Sequence, residues 1–120
     1  AYCRQRVQGG KPICEHQAVQ LKLMDMFVKV EAARALSRAA MLYNSETTPP
    51  ALQYSIASKV FCTTAAFEVA SDALQLFGGY GLAKEMLIEK LFRDARASLI
   101  EDGTSEVLSL AGARRVIDRY

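Results

Sequence analysis

From Glu15 to about Asn44 apolar residues return every three or four positions. Leu23, Phe27 and Val30 fall at i, i+4 and i+7, and Met26, Ala33 and Ala40 widen the stripe. Lys22, Asp25, Lys29, Glu31, Arg34 and Arg38 stand mostly between them. Pro12 interrupts any helix entering from the N-terminal side. Few breakers and many strong helix formers predict one long helix whose broad apolar face belongs inside a bundle. Ser45–Pro50 is a clean break, where Thr48 is expected to cap the next helix and the prolines to occupy its first turn. A second long helix is predicted from about Ala51 to Phe77. Small residues such as Ala57, Ala65, Ala66 and Ala70 permit close neighbours there, and Ile56, Val60, Phe67, Leu74 and Phe77 supply bulk. Gly78-Gly79 ends it. Two shorter helices are predicted over about Lys84–Ala97 and Thr104–Asp118. No segment alternates with a period of two, so no strand is expected. The fold class is all-α, an antiparallel four-helix-bundle-like domain spanning residues 1–120.

At 120 residues the chain fits one domain, and burial of about two-thirds of its unfolded surface is expected at that size. Hydrophobic content of 51% with 23% charged residues is globular composition. The net charge of +2 comes from scattered Lys and Arg, which gives no basic patch for nucleic acid. No apolar run of about 18 residues offers a membrane span. No signal peptide is visible, and the opening at Ala1 rather than Met reads as entry into a longer pattern. Cys3, Cys14 and Cys62 form an odd set without CxxC spacing, so neither a metal cage nor a disulfide framework is expected. His16 stands alone and reads as a structural or surface residue.

Candidate chemistry lies between Gln75 and Thr104. Gly78, Gly79 and Gly81 suit a helix end and a turn. They also suit backbone N–H groups approaching an anion, with the Gln75 amide one turn earlier able to donate and accept. The spacing is not a Rossmann fingerprint, which follows a strand. Asp102-Gly103 is a turn dipeptide, and Thr104 or Ser105 with Glu106 reads as a helix cap. The same turn also projects a carboxylate toward a cleft. Arg93-Asp94-Ala95-Arg96 looks like chemistry, but Arg93 and Asp94 are expected to form a buried or half-buried ion network that holds the bundle together. Breaking a truly buried pair of that kind costs several kcal/mol, on the order of 3–5.

The ordered succession of Gln75-Leu-Phe-Gly-Gly-Tyr-Gly81, Arg93-Asp94-Ala95 and Asp102-Gly103-Thr104 resembles the C-terminal helical domain of the acyl-CoA dehydrogenase family of flavoenzymes. The likeness begins near Arg6-Val-Gln-Gly-Gly-Lys11, which is similar to that family's Arg-x-x-Phe-Gly segment. It runs through Glu15-His16-Gln17-Ala18 to the Ala113-Arg114 pair and covers nearly the whole chain. The resemblance implies one more helix before residue 1. It also implies an FAD cofactor, an acyl-CoA thioester substrate, and electron-transfer flavoprotein or a similar electron acceptor. Assembly as a homo-oligomer, dimer or tetramer, and a place in the cytoplasm or mitochondrial matrix are expected with it.

Residue roles carry over on the same terms. Arg6, Gln75, Gly78 and Gly79 would contact the adenosine-diphosphate half of an FAD bound mainly by a neighbouring subunit. Thr104 and Glu106 match further FAD contacts, and Gly103 and Arg114 match positions near the thioester. Asp102 would be the catalytic base, removing a proton α to the thioester carbonyl while a hydride leaves the β carbon. Two departures stand out. Gly9 replaces the family's aromatic residue and removes a stacking surface. Asp102 replaces the usual glutamate and retracts the carboxylate by about one C–C bond, roughly 1.5 Å. These departures keep two alternatives open: a non-catalytic subunit of the same fold, and a flavin oxidase acting on another carbon acid.

Overall fold

The computed structural model describes residues 1–119. A single helical turn, α1 (Tyr2–Gln5), leads into a two-stranded hairpin, β1 (Val7–Gln8) and β2 (Lys11–Pro12). The long helices α2 (Gln17–Glu46) and α3 (Leu52–Phe77) follow. Two shorter ones, α4 (Leu87–Ser98) and α5 (Ser105–Ile117), complete the chain.

The hairpin corrects the expectation of no strands. Val7 pairs with Pro12 and Gln8 with Lys11, antiparallel. The pairing closes on Gly9 and Gly10, whose φ values of 63° and 78° form the tight turn that two-residue hairpin loops require. A ribbon two residues wide carries no alternation to read. His16 locks it in place: its ring Nε2 lies 2.9 Å from the Gln8 carbonyl, while its backbone caps α2.

α3 is the hub, with α2, α4 and α5 each packed on it. On α2, the seam facing α3 runs through Val19, Lys22, Met26, Lys29, Ala33, Leu36, Ala40 and Asn44, spaced three and four apart. Leu23, Phe27 and Val30 lie beside that seam, and Phe27 keeps 59% of its surface exposed. Lys22 and Lys29, expected on the solvated face, sit in the seam because α3 offers them carboxylates. Lys22 pairs with Asp72, and Lys29 lies 2.9 Å from both Asp25 and Glu68. At the other end the Asn44 amide donates to Ser55 Oγ at 2.7 Å, which completes an antiparallel register.

Thr48 does not cap α3. The helix begins at Leu52, beyond both prolines, and Asn44 Oδ1 accepts the Ala51 N–H at 2.8 Å instead. Nor do Arg93 and Asp94 bind helices together. Arg93 pairs with Glu89 and Asp94 with Lys90, both within α4, at side-chain exposures of 65% and 53%. Such i, i+4 surface pairs contribute at most about 1 kcal/mol. The α3–α4 contact is aromatic: the Phe67 and Phe92 rings lie 5.4 Å apart, and the Arg96 guanidinium sits 5.6 Å from the Phe67 centroid.

Little of this bundle is enclosed. Among the described residues Ile13, Ala40, Ala65, Ala70 and Ile88 are the buried hydrophobic ones, and no large side chain is fully buried. The accessible surface is 8401 Å². A compact monomer of this mass exposes about 6,400 Å², and its unfolded chain about 19,000 Å². The fold therefore buries little more than half of its surface, short of the two-thirds expected from length. Its extents of 57 × 25 × 22 Å show why: the long helices lie side by side without wrapping a centre. An open apolar groove of about 600 Å³ runs between α2, α3 and α4, lined by Val30, Ala66, Val69, Ile88 and Leu91 among others.

Candidate functional site

All the sequence-predicted residues but Arg114 lie near two places along α3. The first is its C-terminal end. Tyr2 stacks on Phe77, ring centroids 4.0 Å apart and planes 11° apart, and its hydroxyl donates to the Phe77 carbonyl at 3.2 Å. That contact brings the α1–hairpin unit, and Arg6 with it, to the helix end. Gln75 and Gly9 consequently line one shallow pocket of about 350 Å³, with His16 between them. A Cβ on Gly9 would approach His16 Cε1 to 3.2 Å and would sit on a backbone at φ 63°, so a larger residue there would be strained and would displace the His16 ring slightly.

Around that pocket the donors are open. Arg6, Gln75, Gly78 and Gly79 are all exposed. Among the described residues neither the Arg6 guanidinium nor the Gln75 amide has a side-chain partner. Gly78 takes φ 63°, a left-handed value, and nothing lies within 4 Å of where a Cβ would sit on Gly78 or Gly79. Gly81 differs. It is buried, and a Cβ there would fall 2.9 Å from Phe77 Cβ and 3.0 Å from the Leu74 carbonyl, so its role is packing. A guanidinium, a primary amide and unobstructed peptide groups are the donor set that a dinucleotide phosphate requires, so these residues fit the far end of FAD.

The second place is the turn between α4 and α5. Asp102 adopts φ 54° and Gly103 φ 96°, two consecutive left-handed residues. They lift the Asp102 side chain clear of the bundle, and it is exposed. Gly103 packs on Leu108, where a Cβ would meet Cδ2 at 3.2 Å. Thr104 caps α5 by accepting the Val107 N–H at 3.4 Å. Glu106 lies in the first turn of α5, and its carboxyl is held below the usual range. Its own backbone N–H is the main cause, followed by the Thr104 hydroxyl and the Arg96 charge. An anion at this end of a helix also suits the helix dipole.

Lys59 of α3 reaches into this turn, its Nζ donating to the Gly103 carbonyl at 2.9 Å. Sequence reading did not single it out, because a helical lysine hydrogen-bonded to a backbone oxygen 44 residues away leaves no motif. Arg114 stands apart. It is exposed on α5, ten residues beyond Thr104 (114 − 104), or about 15 Å along the helix. The two clusters are separated by the sixteen residues from Lys59 to Gln75 (75 − 59), about 24 Å of α3. No helix among the described residues is long and apolar enough to cross a membrane.

Comparison with known proteins identifies the family and the fold. Residues 1–117 match the family model described as acyl-CoA dehydrogenase, C-terminal domain. Cyclohexane-1-carbonyl-CoA dehydrogenase of Geobacter metallireducens is 38% identical over 117 residues, which is 97% of this chain and 30% of that protein. The short-chain-specific acyl-CoA dehydrogenase of Megasphaera elsdenii is 41% identical over 106 residues, 88% of this chain and 27% of that one. The solved structure of butyryl-CoA dehydrogenase from Megasphaera elsdenii superposes with a TM-score of 0.90 at 35% identity, covering 97% of this chain and 30% of its own. The chain thus spans less than a third of the length of these relatives. It belongs to the acyl-CoA dehydrogenase family, and what it contributes is that family's C-terminal helical domain.

Proposed function

We propose that this domain serves the FAD-dependent α,β-dehydrogenation of an acyl-CoA thioester, with Asp102 as the base. The observation that carries the reading is the turn itself. A non-glycine residue held at φ 54° is uncommon, and this one aims an exposed carboxylate away from the bundle at the start of a helix. In the reaction the Asp102 carboxylate takes the proton from the carbon α to the thioester carbonyl. The C–H electron pair becomes the second bond between the α and β carbons as the β C–H bond breaks. Bound FAD supplies the acceptor for the hydride that leaves the β carbon.

The other residues bind and orient. Arg6, Gln75, Gly78 and Gly79 offer phosphate-binding donors, while Thr104 and Glu106 flank the base at the first turn of α5. Gly103 and Arg114 border the thioester on the family pattern. The electron acceptor expected on the family pattern is electron-transfer flavoprotein or a similar protein. A homo-oligomer, dimer or tetramer, is expected on the family pattern, and the surface about 2,000 Å² larger than a compact monomer exposes leaves apolar faces for it to cover. An aspartate in place of glutamate favours one second reading, a flavin oxidase acting on a different carbon acid such as a nitroalkane.

Asp102→Asn in the full-length flavoprotein tests the base. The amide is nearly isosteric but takes up no proton at neutral pH. Anaerobic stopped-flow mixing with a panel of acyl-CoA thioesters is expected to show loss of flavin bleaching with FAD content intact. Glu101→Gln, one residue earlier, is expected to retain bleaching. Bleaching of Asp102→Asn at the wild-type rate would place the base elsewhere. Bleaching of the wild type by nitroalkanes but by no thioester would establish the second reading.

A further inference from the structure

We propose that Lys59 is a positioning residue for the base: its ammonium, bonded to the Gly103 carbonyl, fixes the left-handed turn that aims the Asp102 carboxylate. The inference rests on the reading of Asp102 given above. The turn has little else to hold it. Ile100 N–H and Glu101 N–H both return to the Ala97 carbonyl, at 2.8 and 3.0 Å, and Ser105 N–H reaches Leu99 at 3.3 Å. Between those bonds, among the described residues, neither Asp102 nor Gly103 has a backbone hydrogen bond. The bond from Lys59 is what fixes the exposed apex, and it comes from the central helix of the bundle.

Lys59 itself is committed to this contact. It is half-buried, no carboxylate pairs with it among the described residues, and its ammonium has the Gly103 carbonyl as its partner. A charged donor makes a stronger hydrogen bond to a carbonyl than a neutral one. The peptide group it holds adjoins Gly103, the residue most free to rotate. On the other side of Gly103, Leu108 stands where a Cβ would meet it at 3.2 Å, which limits movement in that direction. Lys59 and Leu108 thus restrain the glycine hinge from two sides. Without the lysine, Gly103 regains its rotational range and the carboxylate loses its fixed aim. A misplacement of about 1 Å at a reacting group costs on the order of 100-fold in rate.

The test uses the full-length holoenzyme, with Lys59→Met, which keeps the apolar stem and removes the donor. Flavin bleaching at saturating acyl-CoA is expected to slow by about 10- to 100-fold, while half-saturation by substrate moves by less than about threefold. FAD content is expected to hold, and the α-deuterium isotope effect on bleaching to rise as proton removal becomes more fully rate-limiting. Lys59→Arg, which retains a charged donor, is expected to recover most of the rate. Where the methionine variant does not assemble, Lys59→Gln replaces it with the same expectations. Wild-type bleaching in Lys59→Met alongside lost bleaching in Asp102→Asn overturns the role of Lys59 and leaves the base in place. A slowed variant with an unchanged isotope effect and no rescue by arginine also overturns it, as a purely structural effect. Wild-type bleaching in Asp102→Asn removes both assignments.

Discussion

Tyr2 lies flat on Phe77, and its hydroxyl bonds to the carbonyl of that same residue, so one side chain clasps both the ring and the backbone at the end of α3. The pair spans 75 positions and joins the first helical turn to the glycine cluster. Tyr2→Ala is expected to free the hairpin, costing about 1–2 kcal/mol in a urea melt from the lost stacking and hydrogen bond. In the full-length flavoprotein the same change should speed FAD release, since the segment that carries Arg6 would no longer be tied to the end of α3. Tyr2→Phe keeps the stacking and should cost only about 0.5–1.5 kcal/mol, the net worth of one hydrogen bond.

Gly112 is buried where α5 crosses α3, and a Cβ there would come within 2.9 Å of Ile56 Cγ2. Any side chain there must displace Ile56. Gly112→Val is expected to destabilise the domain by about 1–3 kcal/mol by overpacking. In an Ile56→Ala background the same change should cost less, a coupling read from the four denaturation midpoints of the double-mutant cycle. An equal cost in both backgrounds would mean that Ile56 is not the obstacle.

Helices were legible in this chain because their period is written in the apolar residues; partners were not. The Asn44–Ala51 bond shows the limit at a boundary. Thr48 and two prolines are a sound start signal, but the helix begins after them because a side chain from α2 satisfies the exposed N–H. Lys22 and Lys29 show it within a helix. Charge alone assigned them to solvent, whereas Asp72 and Glu68 on the adjoining helix drew them into the seam. Arg93 and Asp94 erred in the opposite sense, because adjacent opposite charges suggest a network and each found its partner one turn away on α4. Of the candidate site, the glycine cluster and the Asp102 turn were readable from residue type. Lys59 was not, since hydrogen bonds to backbone carbonyls carry no sequence mark.

Lys29 and Glu106 contribute at opposite ends of the pH range. Lys29 sits between the carboxylates of Asp25 and Glu68, whose hydrogen bonds hold its ammonium well above the usual lysine range. A raised folded-state value stabilises the fold below the unfolded value of about 10.4, and that contribution is lost as pH climbs through the folded value. Glu106 is lowered, so its contribution is present above the unfolded value of about 4.3 and lost as pH falls through the folded one. Glu106 is exposed and Lys29 is only part-covered in the seam, so salt should weaken both effects. Thermal melts across pH are expected to show Glu106→Gln flattening the acid limb and Lys29→Met lowering stability near neutrality. Neither change should reproduce the other's pH dependence.

The turn at Asp102 is where stability and activity pull apart. A left-handed conformation costs an L-residue roughly 1–2 kcal/mol, less for aspartate, whose short side chain tolerates it better. Glycine adopts φ 54° without that cost. Asp102→Gly should therefore leave the domain as stable as the wild type, or raise its stability by up to about 1 kcal/mol after offsetting the glycine's greater unfolded-state entropy. In the full-length flavoprotein the same substitution should remove flavin bleaching by acyl-CoA. Asp102→Glu pulls the other way. It restores the family's usual reach and should retain activity, at some cost in stability, because the longer side chain is less at ease at positive φ. Turnover and denaturation midpoint measured across the three residues would then rank in opposite orders for glycine. Wild-type turnover in the glycine variant would mean that the turn is only a turn and that the proton leaves by another route.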